Sequence, residues 1–285
     1  MRRKRSRRQV VLAFVLGLLY LVLFPVLSGR EGYFKPAWVR AIPGVQSAEK
    51  SGGEGASWFK AGRWFGYVQP DGRLLYEAET LYGVALSESG FINYPKVAEN
   101  FIFQDPQGRF QFAVHAFGYP VLDEGGERLY SISTNLNELR RLDRDGEPLW
   151  AEGFFAPISS LNLRQEECVV GLLDGTLKLI DRQGKILQEL APQGSRIPVI
   201  LASALSPDGR RLAVVSGIDP QRLTLFARRG GPFSVEQALD LGSDFRRGVF
   251  LRFVVAGRFL ALEAPGGLSL LDLGRRRTGS VALPG

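Results

Sequence analysis

The chain is poor in the side chains that most chemistry requires. It has one cysteine, one histidine and one methionine in 285 residues. A single Cys168 excludes an intrachain disulfide and any cysteine-based metal site, because zinc recruits several Cys, His or carboxylate ligands at once. It also makes a disulfide-linked oligomer an unexpected state. A Ser-His-acid triad would have to use His115, the only imidazole. His115 closes the apolar run 110–114, which reads as a strand, so a structural role is expected of it. Cys168 lies in Cys168-Val169-Val170, where a thiol behaves as a small hydrophobe, and it is expected in the core. No G-x-G-x-x-G or P-loop string precedes a helix, so a nucleotide site of the usual kinds has no support. Adjacent carboxylates occur at Asp123-Glu124 and Glu166-Glu167. Both pairs fall in expected turns, where charge is ordinarily solvated, rather than in a cleft where two carboxylates could work together. The expectation is therefore no catalytic residue, no cofactor and no metal ligand.

Lysine is scarce too, with 7 against 29 arginines, and the formal charge of +7 needs dissection. Arg2, Arg3, Lys4, Arg5, Arg7 and Arg8 supply six positive charges, which leaves 30 basic and 29 acidic residues in the remainder. The excess sits just before residues 10–27, VVLAFVLGLLYLVLFPVL, a run without charge. Eighteen helical residues span about 27 Å, close to the hydrocarbon thickness of a bilayer. A polybasic flank keeps its end in the cytoplasm and sends the rest of the chain across the membrane. The run is long for a cleaved signal peptide and Val26-Leu27-Ser28 is a poor cleavage site, so an uncleaved anchor is favoured over a cleaved one. The expected organisation is a cytoplasmic basic tail at 1–9, a transmembrane signal anchor at 10–28, a tether at 29–55 and a folded domain at 56–285. The protein would then be single-pass in the inner membrane, with its domain on the periplasmic side and nucleic acid excluded as a partner. Within the tether, Trp38 to Ile42 reads equally well as interfacial residues or as a first strand.

Beyond residue 55 the chain has few plausible helices and many short β runs. Residues 176–190, TLKLIDRQGKILQEL, read as two strands joined by Asp181-Arg182-Gln183-Gly184. An Asp opening such a turn can accept backbone N–H groups further along it, and a Gly can take the left-handed conformation that returns the chain with a bulge. The unit recurs from Val68, Phe103, Leu142 and Ile180, with weaker copies from Phe226 and Leu271, at offsets of 35, 39, 38, 46 and 45 residues. A period of about 40–45 residues with four strands each is the signature of a propeller blade. The fold class expected is all-β: a β-propeller of six four-stranded blades, or seven if the tether contributes strands, preceded by the transmembrane helix. The first unit has room for only three strands, and would be completed by the other terminus or by Trp38 to Ile42.

Asp143-x-x-Gly146-x-x-Leu149-Trp150 resembles the repeat of the PQQ-like propellers, and residues 181–187 match it in part. The resemblance implies that Trp150 packs between adjacent blades, with Tyr76, Phe110 and Leu187 at the equivalent positions. Ser206-Pro-Asp-Gly-x-x-Leu-Ala213 is similar to turns of WD40-like and TolB-like propellers. The quinoprotein enzymes of the resembled superfamily use a vicinal cysteine pair, which one cysteine excludes, so their cofactor is not carried over. By resemblance to the PQQ-like propeller subunit of outer-membrane protein assembly, binding would use the loops of one rim or an exposed strand edge.

Arginines cluster late in the chain, at Arg228-Arg229, Arg246-Arg247 and Arg275-Arg276-Arg277. Arginine forks suit carboxylate and phosphate, so Arg246, Arg247, Arg275, Arg276 and Arg277 are candidate residues for an anionic partner. The competing reading is solvated turn charge. The functional expectation is a non-enzymatic, membrane-anchored scaffold that binds protein partners in the bacterial cell envelope. The alternatives are a sensor for a small ligand or glycan and, further off, a hydrolase or lyase.

Overall fold

A computed structural model describes residues 55–282, apart from 165 and 276. The expected basic tail, membrane anchor and most of the tether lie outside the described residues. Among the described residues no helix is long and apolar enough to cross a membrane.

Among the described residues, twenty-three strands form six antiparallel sheets in chain order. The first holds β1 (Ser57–Ala61), β2 (Trp64–Val68) and β3 (Leu74–Glu79). The second holds β4 (Gly83–Leu86), β5 (Phe91–Tyr94), β6 (Asn100–Gln104) and β7 (Phe110–His115). The third is β8 (Tyr119–Leu122), β9 (Leu129–Ile132), β10 (Glu138–Leu142) and β11 (Pro148–Gly153). The fourth is β12 (Ile158–Leu163), β13 (Glu167–Leu172), β14 (Leu177–Asp181) and β15 (Ile186–Leu190). The fifth comprises β16 (Ile197–Leu205), β17 (Arg211–Ile218), β18 (Gln221–Ala227) and β19 (Ser234–Leu241). The sixth comprises β20 (Leu251–Val254), β21 (Phe259–Ala264), β22 (Gly267–Asp272) and β23 (Arg277–Ala282). Every strand pairs with its neighbour in sequence, as in a meander. The count is six blades, and the first has three strands among the described residues, as its length anticipated.

A small twisted sheet cannot bury both of its faces alone, so neighbouring blades must cover them. The hydrophobic core is accordingly divided into five clusters, one for each successive junction. Phe65, Tyr67 and Leu75 meet Phe91 between blades one and two. Phe101 and Phe103 meet Leu122 and Leu129 at the next junction. Leu139 packs with Val170 and Ile180, Val169 and Leu177 with Ile200 and Val214, and Val215 and Leu223 with Phe253 and Leu260. A fully buried side chain of this size contributes about 1.5–3 kcal/mol, so each junction is a separate source of stability. The inner strands β4 and β8, β12 and β16, and β16 and β20 pack side by side. Arg252 on β20 bonds Glu124, 128 residues earlier, so the blades curve around one axis.

The repeated turn has the chemistry expected of it. One carboxylate oxygen of Asp181 accepts the N–H groups of Gln183 and Lys185, both at 2.9 Å. Asp143 does the same for Asp145 and Glu147, and Asp105 for Gln107 and Arg109. Gly184 has φ +87°, and the β14–β15 ladder shifts register just beyond the turn. The glycine has a second role: a Cβ there would lie 2.7 Å from the ring of Trp150, on the preceding blade. Trp150 Nε1 also donates to the Arg182 carbonyl at 3.0 Å. Tyr76 sits in the same way against Gly108 of the next blade. The other two equivalents are corrected. Phe110 and Leu187 are exposed, and Gln188 makes the contact in blade four, exchanging two hydrogen bonds with Phe233 of blade five. Pairing forward from the turn Asp, through the bulge, puts Gln188 rather than Leu187 opposite Leu179, and one step along a strand reverses the face presented.

Candidate functional site: the two rims of the propeller

Antiparallel connectivity sorts the loops onto two ends of the axis. One rim carries the links between blades and the loops joining second to third strands. The other carries the turns joining first to second strands, together with the repeated Asp-Gly turns. They can be called the link rim and the turn rim.

The link rim is apolar across blades two to four. Tyr82 and Tyr119 stack with ring centroids 5.9 Å apart, and Tyr94 lies 6.2 Å from Tyr119. Burial raises the Tyr94 phenol pKa above its ordinary value. Leu81 and Phe117 are exposed beside them, with Phe117 edge-on to the His115 ring at 5.2 Å. At the following junction, Phe154 N–H donates to the Asn137 carbonyl, Ile158 to Leu136 and Leu173 to Pro157. Those three backbone bonds fix the loop 154–158 against the loops that carry Leu136 and Leu173, and Phe155 on it is fully exposed. Leu136 has φ +62°, a left-handed conformation that costs an L-residue about 1–2 kcal/mol. No glycine relieves that strain, and the side chain it displays faces solvent.

The turn rim is charged. Around the channel mouth lies a cavity of about 420 Å³, walled by turns of blades two to five. Glu124 is its hub. Its carboxylate is bonded by Arg164 of blade four and, at 2.5 Å, by Arg252 of blade six, and its carbonyl accepts the Glu88 N–H of blade two. Arg164 also donates to the Leu205 carbonyl of blade five, so these bonds join five blades. Glu167 and Arg228 form a two-pronged pair at 2.8 Å for each prong. Asp123 is buried, with Arg128 nearby at 3.7 Å. The Ser206 hydroxyl donates to Asp208 at 2.6 Å and holds its carboxyl below the usual range, helped by the Arg210 N–H.

This corrects the reading of both acid pairs as solvated turn charge. Asp123, Glu124 and Glu167 are engaged by arginines around the mouth, because curvature of the ring brings turns of different blades together. Glu166 is the exception: it is well exposed, with Arg182 at 3.5 Å. Of the residues that organise the mouth, Arg164 and Arg252 carried no sequence signal, each standing outside any arginine cluster.

The five candidate arginines do not form one patch. Arg246 and Arg247 lie on the link rim, between β19 and β20, whereas Arg275 and Arg277 lie at the turn between β22 and β23 on the opposite rim. Arg247 is already used: it bonds Glu263, lowering that carboxyl's pKa, and stacks over Phe245 at 5.1 Å. Arg246 and Arg275 are exposed, Arg276 lies outside the described residues, and Arg277 opens β23. His115 ends β7 exposed, 3.4 Å from the Asn100 side chain. Cys168 is buried as expected, and burial pushes its thiol up to about 12. Among the described residues no three His, Cys, Asp or Glu side chains converge to hold a metal ion.

Six meandering sheets around an axis, joined blade to blade by buried clusters, define a β-propeller. A family described as "beta-propeller protein" matches residues 1–285, and the chain belongs to it. An uncharacterized protein of Treponema pallidum (strain Nichols) is 23% identical over 275 residues, covering 93% of this chain and 72% of that one. Among solved structures, the propeller domain of Cps50 (Swd1) from Myceliophteria thermophila aligns with a TM-score of 0.55 at 13% identity, over 83% of this chain and 89% of that domain. BamB from Moraxella catarrhalis aligns at 0.50 and 15% identity, over 69% of this chain and 62% of BamB. At such identities the likeness is one of fold alone, that of a β-propeller.

Proposed function

We propose that the chain is a membrane-tethered, extracytoplasmic propeller of the bacterial cell envelope that works as a protein-interaction scaffold without chemistry of its own. The observation that carries this reading is the apolar surface of the link rim. Leu136, Phe155 and Leu173 are each exposed on the loops of the junction between blades three and four, and at the neighbouring junction Tyr82 stacks on Tyr119 while Phe117 is exposed. Large exposed apolar surfaces of this kind mark sites of association. Aromatic side chains are also the residues most often found at the energetic centre of protein interfaces. The membrane assignment rests on the uncharged run 10–27 and its basic flank.

The test is site-specific photo-crosslinking of the full-length chain in intact cells. Probes at Phe155 and Phe117 are expected to capture a protein partner, while a probe at Val255 on the turn rim is not. If neither link-rim position yields a product, or if Val255 yields the same one, the reading is wrong. Tagging the N-terminus and the C-terminus for protease access in spheroplasts tests the tether, with only the C-terminal tag expected to be cut.

A further inference from the structure

We propose that Trp38 to Ile42 of this same chain fill the inner-strand position of blade one, paired antiparallel with the open edge of β1. The turn after β2 identifies which strand of that blade is missing among the described residues. Gln69 N–H donates to the Arg73 carbonyl at 2.9 Å, and Gly72 N–H donates to the Gln69 carbonyl at 2.8 Å. Asp105 makes the same two bonds with Arg109 and Gly108, and Asp181 with Lys185 and Gly184. In blades two to four that turn joins the third strand to the fourth. Tyr76 agrees, standing as far beyond Gln69 as Trp150 stands beyond Asp143 and meeting a glycine of the next blade in the same way. Hence β2 and β3 are the third and fourth strands of blade one, and β1 is the second. The strand to be supplied is the innermost, on the channel wall.

The slot is open on both sides. The corresponding second strands β9, β13 and β17 are mostly buried, whereas Ser57, Trp58, Lys60 and Ala61 of β1 are exposed. Among the described residues no inner strand stands between β20 and β4, and no buried cluster joins blade six to blade one. Such an edge presents a row of N–H and C=O groups that a further strand would pair. The chain beyond β23 is badly placed to supply it, since β23 is the outer strand of blade six. The chain before β1 is tied to the slot covalently, which gives it an effective concentration on the order of millimolar. Within that chain, Trp38 to Ile42 are aromatic, β-branched and apolar residues around Arg40, bounded by Pro36 and by the turn pair Pro43-Gly44. The inner strand β20, Leu-Arg-Phe-Val, likewise sets one arginine among apolar side chains. First-to-second turns lie on the turn rim, so residues 43–56 would return the chain there, across the roughly 4.8 Å between paired strands. The chain before Trp38 then leaves blade one at the apolar link rim.

The experiment is disulfide mapping of the full-length chain in detergent, read by peptide mass, with buried Cys168 left in place. One cysteine is set at Trp38, Val39 or Ile42 and a second at Ala61, Lys60 or Ser57. A bridge needs Cα atoms within about 7 Å. Antiparallel pairing is expected to bridge Val39→Cys to Lys60→Cys and Ile42→Cys to Ser57→Cys, while Ser47→Cys does not bridge to Lys60→Cys. Proline substitution supplies a second measurement, because alternate N–H groups of a strand point to the same neighbour. Of Val39→Pro and Arg40→Pro, one should lower Tm by at least about 4 °C, and Ser47→Pro should leave it within about 1 °C. The proposal is overturned if no pair bridges, if the bridges run in parallel order, or if neither proline lowers Tm more than Ser47→Pro. Placement of the same residues at a membrane interface predicts that null result. Bridges that join two chains rather than one also overturn it, and would assign the slot to a second copy. Crosslinking from Phe155 and Phe117 reads a different surface, so either reading can fail without the other.

Discussion

The link rim and the turn rim end the same strands, and yet they present opposite chemistry. On the turn rim each of blades two to six must reverse its chain twice in a short space. The Asp-Gly turns do this by satisfying backbone N–H groups with carboxylates, as Asp105, Asp143 and Asp181 show. A rim built that way is charged whatever it binds. A further carboxylate of that rim, Glu124, ties blades to one another through Arg164 and Arg252. The link rim has no such repeated device. At the junction between blades three and four its loops are joined through backbone groups, Ile158 to Leu136 and Leu173 to Pro157, which leaves the Leu136, Phe155 and Leu173 side chains uncommitted. Blades five and six instead carry ion pairs there, such as Arg196 with Asp219 and Arg247 with Glu263. Leu, Phe and Tyr stand there at a cost in solvation and, at Leu136, in backbone strain. One rim ties blades two to six together, and the other is available to something else.

That division can be broken most severely at the hub. Glu124→Ala leaves Arg164 and Arg252 without their shared acid, and should cost about 2 kcal/mol in denaturant unfolding. That is less than for a fully buried pair, because the Glu124 side chain is 33% exposed. Turn glycines come next. Gly184→Ala must tolerate φ +87° and a contact with Trp150, and should cost about 2 kcal/mol. Gly62→Ala on the link rim, at φ +59° in open space, should cost about 1 kcal/mol. Equal losses at the two glycines would show that the Trp150 contact adds nothing.

Between the rims, Cys168 offers a measurement of the core. Its thiol is held neutral by burial up to about 12, while in the unfolded chain it ionises near 8.5. Stability from this group is therefore complete below the unfolded value and is lost as pH rises through the folded one. The slope over roughly pH 9–12 should be about 1.4 kcal/mol per pH unit, and Cys168→Ala should remove that part of it. The smallest effect on stability belongs to the apolar rim. Phe155→Asp should change unfolding free energy by no more than about 0.5 kcal/mol while abolishing crosslinking from that rim. A large loss of stability would instead make Phe155 part of the fold.

Much of the architecture was legible because turn chemistry is local. Asp181 and Gly184 announce a bulged hairpin from four consecutive residues, and their recurrence announces the blades. The bounds of β8, β10 and β12 follow from hydrophobic runs between such turns. What was misread was the spacing past the turn: Trp150 stands seven residues after Asp143, and the residue seven after Asp181 is Gln188, not Leu187. Leu187 was expected at the blade junction, and Gln188 holds it. The channel mouth was harder still. Glu124 and Arg252 are 128 residues apart, and nothing in either neighbourhood names the other. The arginine clusters failed in the opposite sense: neighbours in the last third of the chain divide between the two rims.

The sequence alone determined the all-β class, the repeating unit, the short first blade and the burial of Cys168. Each of these depends on patterns within a few residues, where sterics and hydrogen bonding of the turn leave few choices. Only the tertiary structure decided which charges meet and where apolar side chains gather. Both depend on curvature around an axis, and that curvature comes from how blades pack against each other.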